Sequence, residues 1–245
     1  MDFMAYLQRV PQSYHRLKGI IRWQHRCIMC AETSDSRICP ACEAYWPLQN
    51  HHCQSCSLPL AQHGLKCGDC LKTPPIFDQA VAPYIYAPPL DQLILNFKNQ
   101  RNLTMGTALC DFWQSRLGHY YQSQHLSLPD YLAPVPTHWR RQWQRGFSHT
   151  HFCAEQLSQF FSIPILRQTK MRYYSHTQKS LTRKQRLAAL SSAFAIKARV
   201  DGLSIAIVDD VMTTGATANA FAKALKAAGA RKVVVWVLAR TPKYI

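Results

Sequence analysis

The chain has 245 residues, 47% of them hydrophobic, and a formal net charge of +16. That length suits one medium domain with a small appendage, and no apolar run approaches the roughly 20 residues that a membrane-spanning helix needs. The charge is uneven: residues 79–245 hold 21 Lys/Arg against 7 Asp/Glu, and 12 basic residues but a single acid, Glu155, fall between Tyr131 and Val200. Such a density predicts a polyanionic partner, whether a pyrophosphate, a nucleic acid or both.

In residues 1–26, Phe3, Leu7, Val10, Tyr14, Leu17 and Ile21 recur at helical spacing, interrupted by Pro11. This predicts one or two short amphipathic helices docked on the body; with Arg9, Arg16, Lys18 and Arg22, a helix on a membrane surface is the lesser reading. The segment has neither a signal-peptide core nor a small-residue cleavage site, so a cytoplasmic protein is expected. Eight cysteines follow as four C-x-x-C pairs: Cys27/Cys30, Cys39/Cys42, Cys53/Cys56 and Cys67/Cys70. Each pair brings two thiolates to one side of a tight turn, and two pairs complete a tetrahedral zinc site. Disulfides fit a cytoplasmic chain poorly, and a redox motif would be a single pair. Sequential pairing gives two sites, from Cys27, Cys30, Cys39 and Cys42 and from Cys53, Cys56, Cys67 and Cys70; interleaved pairing and a single occupied site stay open. His51, His52 and His63 are read as exposed loop residues rather than ligands. With few large apolar side chains, residues 27–73 must take folding energy from one or two structural zinc ions. The ribbon is expected to serve as a structural or protein-docking module.

After the hinge at Pro74-Pro75, strand patterns (80–86, 131–135, 163–166, 205–208, 232–238) interleave with helical ones (90–98, 103–117, 149–161, 182–191, 217–228). This alternation predicts an α/β domain over 79–245, a parallel sheet with helices on both faces, binding its ligand at the carboxyl ends of the strands. Lys98 is read as a surface residue, with contact to a phosphate the lesser reading. Cys110 and Cys153 sit in apolar helical patterns as inert core positions. Beyond Val135, Arg140, Arg141 and Arg145 offer forked donors suited to a pyrophosphate; Trp143 is read as packing, and Trp139 is open between packing and stacking. Between Arg167 and Arg186, Lys170, Arg172, Tyr173, Tyr174, Lys179, Arg183 and Arg186 interleave basic and aromatic side chains. A single-strand groove needs that mixture, and a solvated basic loop accounts for it equally well.

The densest signal lies at 205–217. The apolar run Ile205–Val208 ends on Asp209 and Asp210; a Thr- and Gly-rich turn follows, Thr213, Thr214, Gly215, Ala216 and Thr217, and then a helix. Backbone N–H groups and a helix start facing one point form an anion site. Two carboxylates just before it suit the hydroxyls of a sugar carrying the phosphate. The stretch closely resembles the 5-phosphoribosyl-1-pyrophosphate (PRPP) motif of the type I phosphoribosyltransferases. That resemblance implies Asp209 and Asp210 as the catalytic pair on the ribose, and Thr213, Thr214, Gly215, Ala216 and Thr217 on the 5′-phosphate. It also implies Mg²⁺ with the PRPP, and pyrophosphate leaving toward Arg140, Arg141 and Arg145.

With the paired knuckles, Pro134-Val135-Pro136, Arg141 with Arg145-Gly146-Phe147, Gln178, Leu181, Arg186 and Ala193-Phe194, the chain resembles the ComF/GntX family over nearly its whole length. The family joins a zinc ribbon to a type I phosphoribosyltransferase-like domain. Two departures stand out: Ser148-His149 replaces the usual Asn-Gln, and Ala189 replaces an Asn. The resemblance implies a competence or DNA-utilisation protein working with Mg-PRPP and single-stranded DNA, its ribbon meeting DNA-processing proteins. Alternatives are a phosphoribosyltransferase acting on a small-molecule acceptor and a non-catalytic zinc-ribbon adaptor.

Overall fold

The structure, a computed structural model, describes residues 25–62, 65–136, 146–167, 169–171 and 194–243. The helices expected within 1–24 and at 182–191 lie outside them, as do His63, Trp139 and Trp143. The chain forms two compact units that divide between Tyr45 and Trp46, inside the stretch read as ribbon. In the smaller unit β1 (His25–Arg26) pairs antiparallel with β2 (Thr33–Ser34), and α1 (Pro40–Glu43) follows. Its turn is closed by Ala31 in the left-handed region at φ 62°, with Cys39 capping α1.

The larger unit contains α2 (Gly68–Lys72), β3 (Gln79–Val81), β4 (Tyr84–Ile85), α3 (Leu90–Gln100), α4 (Leu103–Ser123), β5 (Tyr131–Pro134), α5 (His149–Phe161), β6 (Thr169–Met171), β7 (Phe194–Ile196), β8 (Ser204–Met212), α6 (Ala216–Ala227) and β9 (Lys232–Arg240). Its main sheet runs β3-β9-β8-β5, all parallel, with β4 beside the far end of β9. β6 and β7 form a separate antiparallel pair. Together these are the expected elements: a parallel sheet, helices on both faces and a Cys-rich ribbon ahead of them. None of the described helices is long and apolar enough to cross a membrane.

Three strand expectations change. The run 80–86 breaks at Pro83, which has no N–H to donate, into β3 and β4. Residues 163–166 make one parallel bridge, Leu132 to Ile165, because Pro164 likewise cannot extend a ladder. And β8 does not stop at Val208: with β9 alongside to pair with, it continues through both acids to Met212.

Both central strands are buried on both faces, so they read as unbroken apolar runs rather than alternating ones. On one face Ile205, Ile207, Val233, Val235 and Val237 pack on Phe221 and Leu225 of α6. On the other, Trp236 meets Tyr121 and Phe161 edge-on or tilted at 5.5 Å each, and its Nε1 donates to the Tyr121 hydroxyl at 2.9 Å. Leu90, Leu93, Ile94 and Phe97 form the buried stripe of α3. Its close approach to α4 is possible because residue 106 is glycine.

A Cβ at Gly106 would stand 2.4 Å from Phe97 Cε2 and 3.0 Å from Phe152 Cε1. Gly106→Ala gains roughly 1 kcal/mol of helix propensity, yet the overpacking is expected to prevail, destabilising the chain by about 1–3 kcal/mol. Thermal or denaturant unfolding reads this directly; an unchanged or raised midpoint would mean that α3 does not pack this closely.

Candidate functional site

Asp209 and Asp210 sit in the carboxyl half of β8. Strand alternation would send successive side chains to opposite faces. Here a carboxylate oxygen of each nevertheless lies within 4.8 Å of the other and of a ring nitrogen of His149. Each carboxylate turns back on the chain: Asp209 Oδ1 accepts from Asp210 N at 3.0 Å, and Asp210 Oδ1 from Val211 N at 2.8 Å. The other oxygen of Asp210 meets Lys98 Nζ at 2.6 Å and His149 Nε2 at 3.5 Å, with side-chain exposures of 6% for Asp210 and 17% for Lys98. A buried carboxylate held by a lysine needs both partners to avoid the cost of an unpaired charge.

The surface reading of Lys98 is therefore corrected. The available signal was its spacing: Lys98 follows Ile94 by four residues and Phe97 by one, which places it at the margin of the buried stripe of α3. In the sequence His149 stands out only as a departure from the family pattern. It opens α5, whose start is fixed by Ser148 accepting from His151 N at 3.3 Å and by Thr150 Oγ1 donating to Val135 O at 2.9 Å. Burial pushes the carboxyl of Asp209 up to about 7, with Lys98 opposing the shift.

The loop follows directly. Thr213 and Thr214 are exposed; Gly215, the N-cap of α6, stands at φ 76° and has no side chain to cap with, and Thr214 Oγ1 accepts from Ala216 N at 3.3 Å. A left-handed residue at that point favours glycine. A Cβ there would also stand 3.5 Å from Met212 Sδ. Around the carboxyl end of β5, a cavity of about 570 Å³ is lined by Val135, Phe147, Ser148, His151, Phe152 and Arg167, among others. Arg140, Arg141, Arg145, Arg172, Tyr173, Tyr174, Lys179, Arg183 and Arg186 lie outside the described residues, and Lys170 is placed only as backbone in β6.

Cysteine pairing is sequential. The sulfurs of Cys27, Cys30, Cys39 and Cys42 lie within 4.8 Å of one another, as do those of Cys53, Cys56, Cys67 and Cys70, and neither set includes His51 or His52. A tetrahedron with Zn–S arms of about 2.3 Å has edges of about 3.8 Å; Cys30 and Cys39 are 3.8 Å apart, and Cys56 and Cys67 3.6 Å. Burial raises the Cys27 thiol, but the backbone N–H groups of Cys39, Cys30 and Met29 outweigh it and bring the value down to about 6. Cys53 falls to about 7 in the same way, through Cys67, Cys56 and Ser55. Burial and crowding push Cys42 up to about 12 and Cys56 up to about 11. A dication shared by four sulfurs removes that imbalance, so both sets fit structural zinc. Cys110 and Cys153 are buried between α4 and α5, as expected of core positions.

Residues 23–71 match the family model of the double zinc ribbon domain. Competence protein F of Haemophilus influenzae is 32% identical over 225 residues, spanning 88% of this chain and 96% of that one. The chain belongs to the ComF/GntX family. A second member, DNA utilization protein YhgH of Escherichia coli K12, is 34% identical over 83% of this chain and 90% of its own. Competence protein ComFC of Bacillus subtilis is 24% identical over 78% of each. Among solved structures the chain is similar to a purine phosphoribosyltransferase from Pyrococcus horikoshii, at 16% identity and a TM-score of 0.34 over 56% of this chain and 90% of that one. It is also similar to a Trypanosoma cruzi hypoxanthine phosphoribosyltransferase, at 16% identity and a TM-score of 0.38 over 55% and 64%.

The raised value of Asp209 has a stability consequence. A carboxyl that titrates higher in the folded chain than in the unfolded one binds more protons when folded. Ionising it therefore costs stability progressively from about pH 4, and the full cost is present above about pH 7. Asp209→Asn removes that cost. It is expected to raise the melting temperature at pH 8, by about 2–4 °C per kcal/mol relieved, and to leave it nearly unchanged at pH 4.5. Equal shifts at both pH values would contradict the assignment.

Proposed function

We propose that this ComF/GntX protein binds Mg²⁺-PRPP and serves DNA utilisation on single strands in the cytoplasm. One juxtaposition supports the PRPP reading above all: two carboxylates brought within 4.8 Å of each other on β8, directly before a loop whose left-handed Gly215 is the N-cap of the helix that follows. The 5′-phosphate would lie on residues 213–217, taking N–H groups and threonine hydroxyls, while Asp209 and Asp210 accept from the ribose hydroxyls and favour positive charge on the ribosyl carbon. Lys98 and His149 hold Asp210 in place. Mg²⁺ would supply charge neutralisation for the leaving pyrophosphate, and among the described residues Asp209, Asp210 and His149 are those that could hold it. Arg140, Arg141 and Arg145 are the proposed receivers of pyrophosphate.

The DNA half of the reading rests on the names of the relatives and on the 21 basic against 7 acidic residues of 79–245. Lys170, Arg172, Tyr173, Tyr174, Lys179, Arg183 and Arg186 are its proposed contacts, with base stacking on the tyrosines. DNA-processing proteins are the proposed partners of the ribbon.

Three measurements test these halves. Titration calorimetry with Mg²⁺-PRPP is expected to show binding that Asp209→Asn/Asp210→Asn abolishes, and unchanged affinity in that variant would sink the pocket assignment. Pyrophosphate release with pooled nucleobases, run on the same samples, separates turnover from binding alone. Single-strand binding should weaken steeply with salt, and Arg172→Ala/Lys179→Ala should flatten the slope by about 0.7 for each lost phosphate contact. A slope unmoved by that substitution would remove those residues from the surface.

A further inference from the structure

Arg240, the last residue of β9, is 5% exposed. Its guanidinium reaches three separate stretches of chain. Nε donates to Cys56 O at 3.1 Å; Nη1 donates to Met212 O at 2.9 Å, to Thr213 O and to Thr241 O at 2.9 Å. All four acceptors are backbone carbonyls. Cys56 is a ligand of the second zinc set, Met212 ends β8, and Thr213 is the first residue of the anion loop. One rigid, planar group thus ties a metal ligand's own peptide to the entrance of the loop.

Packing joins the same two places. Cys53, Cys56, Cys67 and Cys70 lie in one apolar cluster with Phe77 and Met212. Gly215 in turn is close enough to Met212 and Phe77 that a Cβ would touch both, at 3.5 and 4.0 Å. The linker before Phe77 is held as well, Ile76 N donating to Asn219 Oδ1 in the first turn of α6 at 2.7 Å. The knuckle is anchored to the sheet by Ala80 N donating to Ser55 O at 2.9 Å and Ser57 Oγ donating to Ala80 O at 2.8 Å. Where a buried cation is satisfied by carbonyls alone, its bonds depend on where each carbonyl is held. Zinc on the second cysteine set would hold the carbonyl of Cys56 through its own thiolate, and the conformation of the loop holds those of Met212 and Thr213.

We propose that Arg240 is a positioning residue that couples the second four-cysteine site to the anion loop, so that metal in one strengthens phosphate-ester binding at the other. The proposal rests on the PRPP reading of the loop. Coupling between two sites is reciprocal in binding free energy: the factor by which zinc raises PRPP affinity equals the factor by which PRPP raises zinc affinity.

The test uses the full chain carrying Cys30→Ser/Cys42→Ser, so that the second site alone reports. Zinc affinity is measured by competition with a chelator that ignores Mg²⁺, with and without saturating Mg²⁺-PRPP; PRPP affinity is measured with and without zinc. The two factors are expected to agree, within the roughly 5- to 150-fold span usual for coupled sites. Arg240→Lys keeps the charge and loses the fork; it should still take up zinc, with the coupling factor falling toward one. A merely structural arginine would weaken both affinities and leave their ratio intact, and that result overturns the proposal. So does a factor of one in the parent protein when PRPP binds, a measurement that needs no Arg240 variant to fold. Absence of PRPP binding to the zinc-loaded parent protein would sink both this proposal and the reading beneath it.

Discussion

The ladder between β8 and β9 runs from Ser204 opposite Lys232 to Met212 opposite Arg240, and it cannot slide. A slip of one residue would turn every buried side chain of two apolar strands to the wrong face. Both strands are also pinned at their starts. Asp130 Oδ2 accepts from Ser204 N and Asp78 Oδ2 from Val233 N, each at 2.7 Å. Once that register is set, the heights of Asp209, Asp210 and Arg240 in the sheet are set with it. The site is built on buried strands: Asp210 is buried and Asp209 half-buried, and the loop that follows is exposed at Thr213 and Thr214.

Placing carboxylates there has an electrostatic cost that the surrounding helices offset. Asp210 points among α3 and α5 and is met by Lys98 and His149. Asp209 has less compensation and its carboxyl is pushed upward. Two adjacent residues of one type therefore have different surroundings: Lys98 and His149 meet Asp210, while burial dominates at Asp209. The contact with Lys98 also explains why α3 must approach closely enough for Phe97 to crowd Gly106: a retreat of α3 would carry Lys98 away from Asp210.

Much of this was legible in the residues. The C-x-x-C pairs marked both metal sets, and D-D followed by T-T-G marked the acid pair and the loop, because those chemistries need particular residues at short spacing. The alternation of strand and helix was legible for the same reason. Lys98 was not, since its partner is 112 positions away and a lysine beside an apolar stripe usually turns to solvent. Arg240 was missed for a different reason: it ends an apolar strand, and its four acceptors are carbonyls, which leave no trace in sequence. Strand ends were misread where proline or a neighbouring strand decided them. Pro83 and Pro164 shortened ladders, and β9 lengthened β8 past the acids.

The two zinc knuckles show how one local design takes two uses. Cys27 N donates to Glu32 O and Ala31 N to Cys27 O; twenty-six residues on, Cys53 N donates to Leu58 O and Ser57 N to Cys53 O. Ala31 and Ser57 share the left-handed turn, at φ 62° and 52°. In the first knuckle that residue is an exposed alanine. In the second it is a fully buried serine whose hydroxyl donates to Ala80 O and whose carbonyl accepts from Gln49 Nε2 at 2.8 Å. A metal knuckle fixes its peptide groups with very few side chains, so its carbonyls can be presented where an ordinary short loop would be too mobile to hold them. A buried arginine needs acceptors of that kind. The second knuckle is thereby a wall of the larger unit, and the carbonyl of Cys56 is one of the four that hold Arg240 beside the loop after β8.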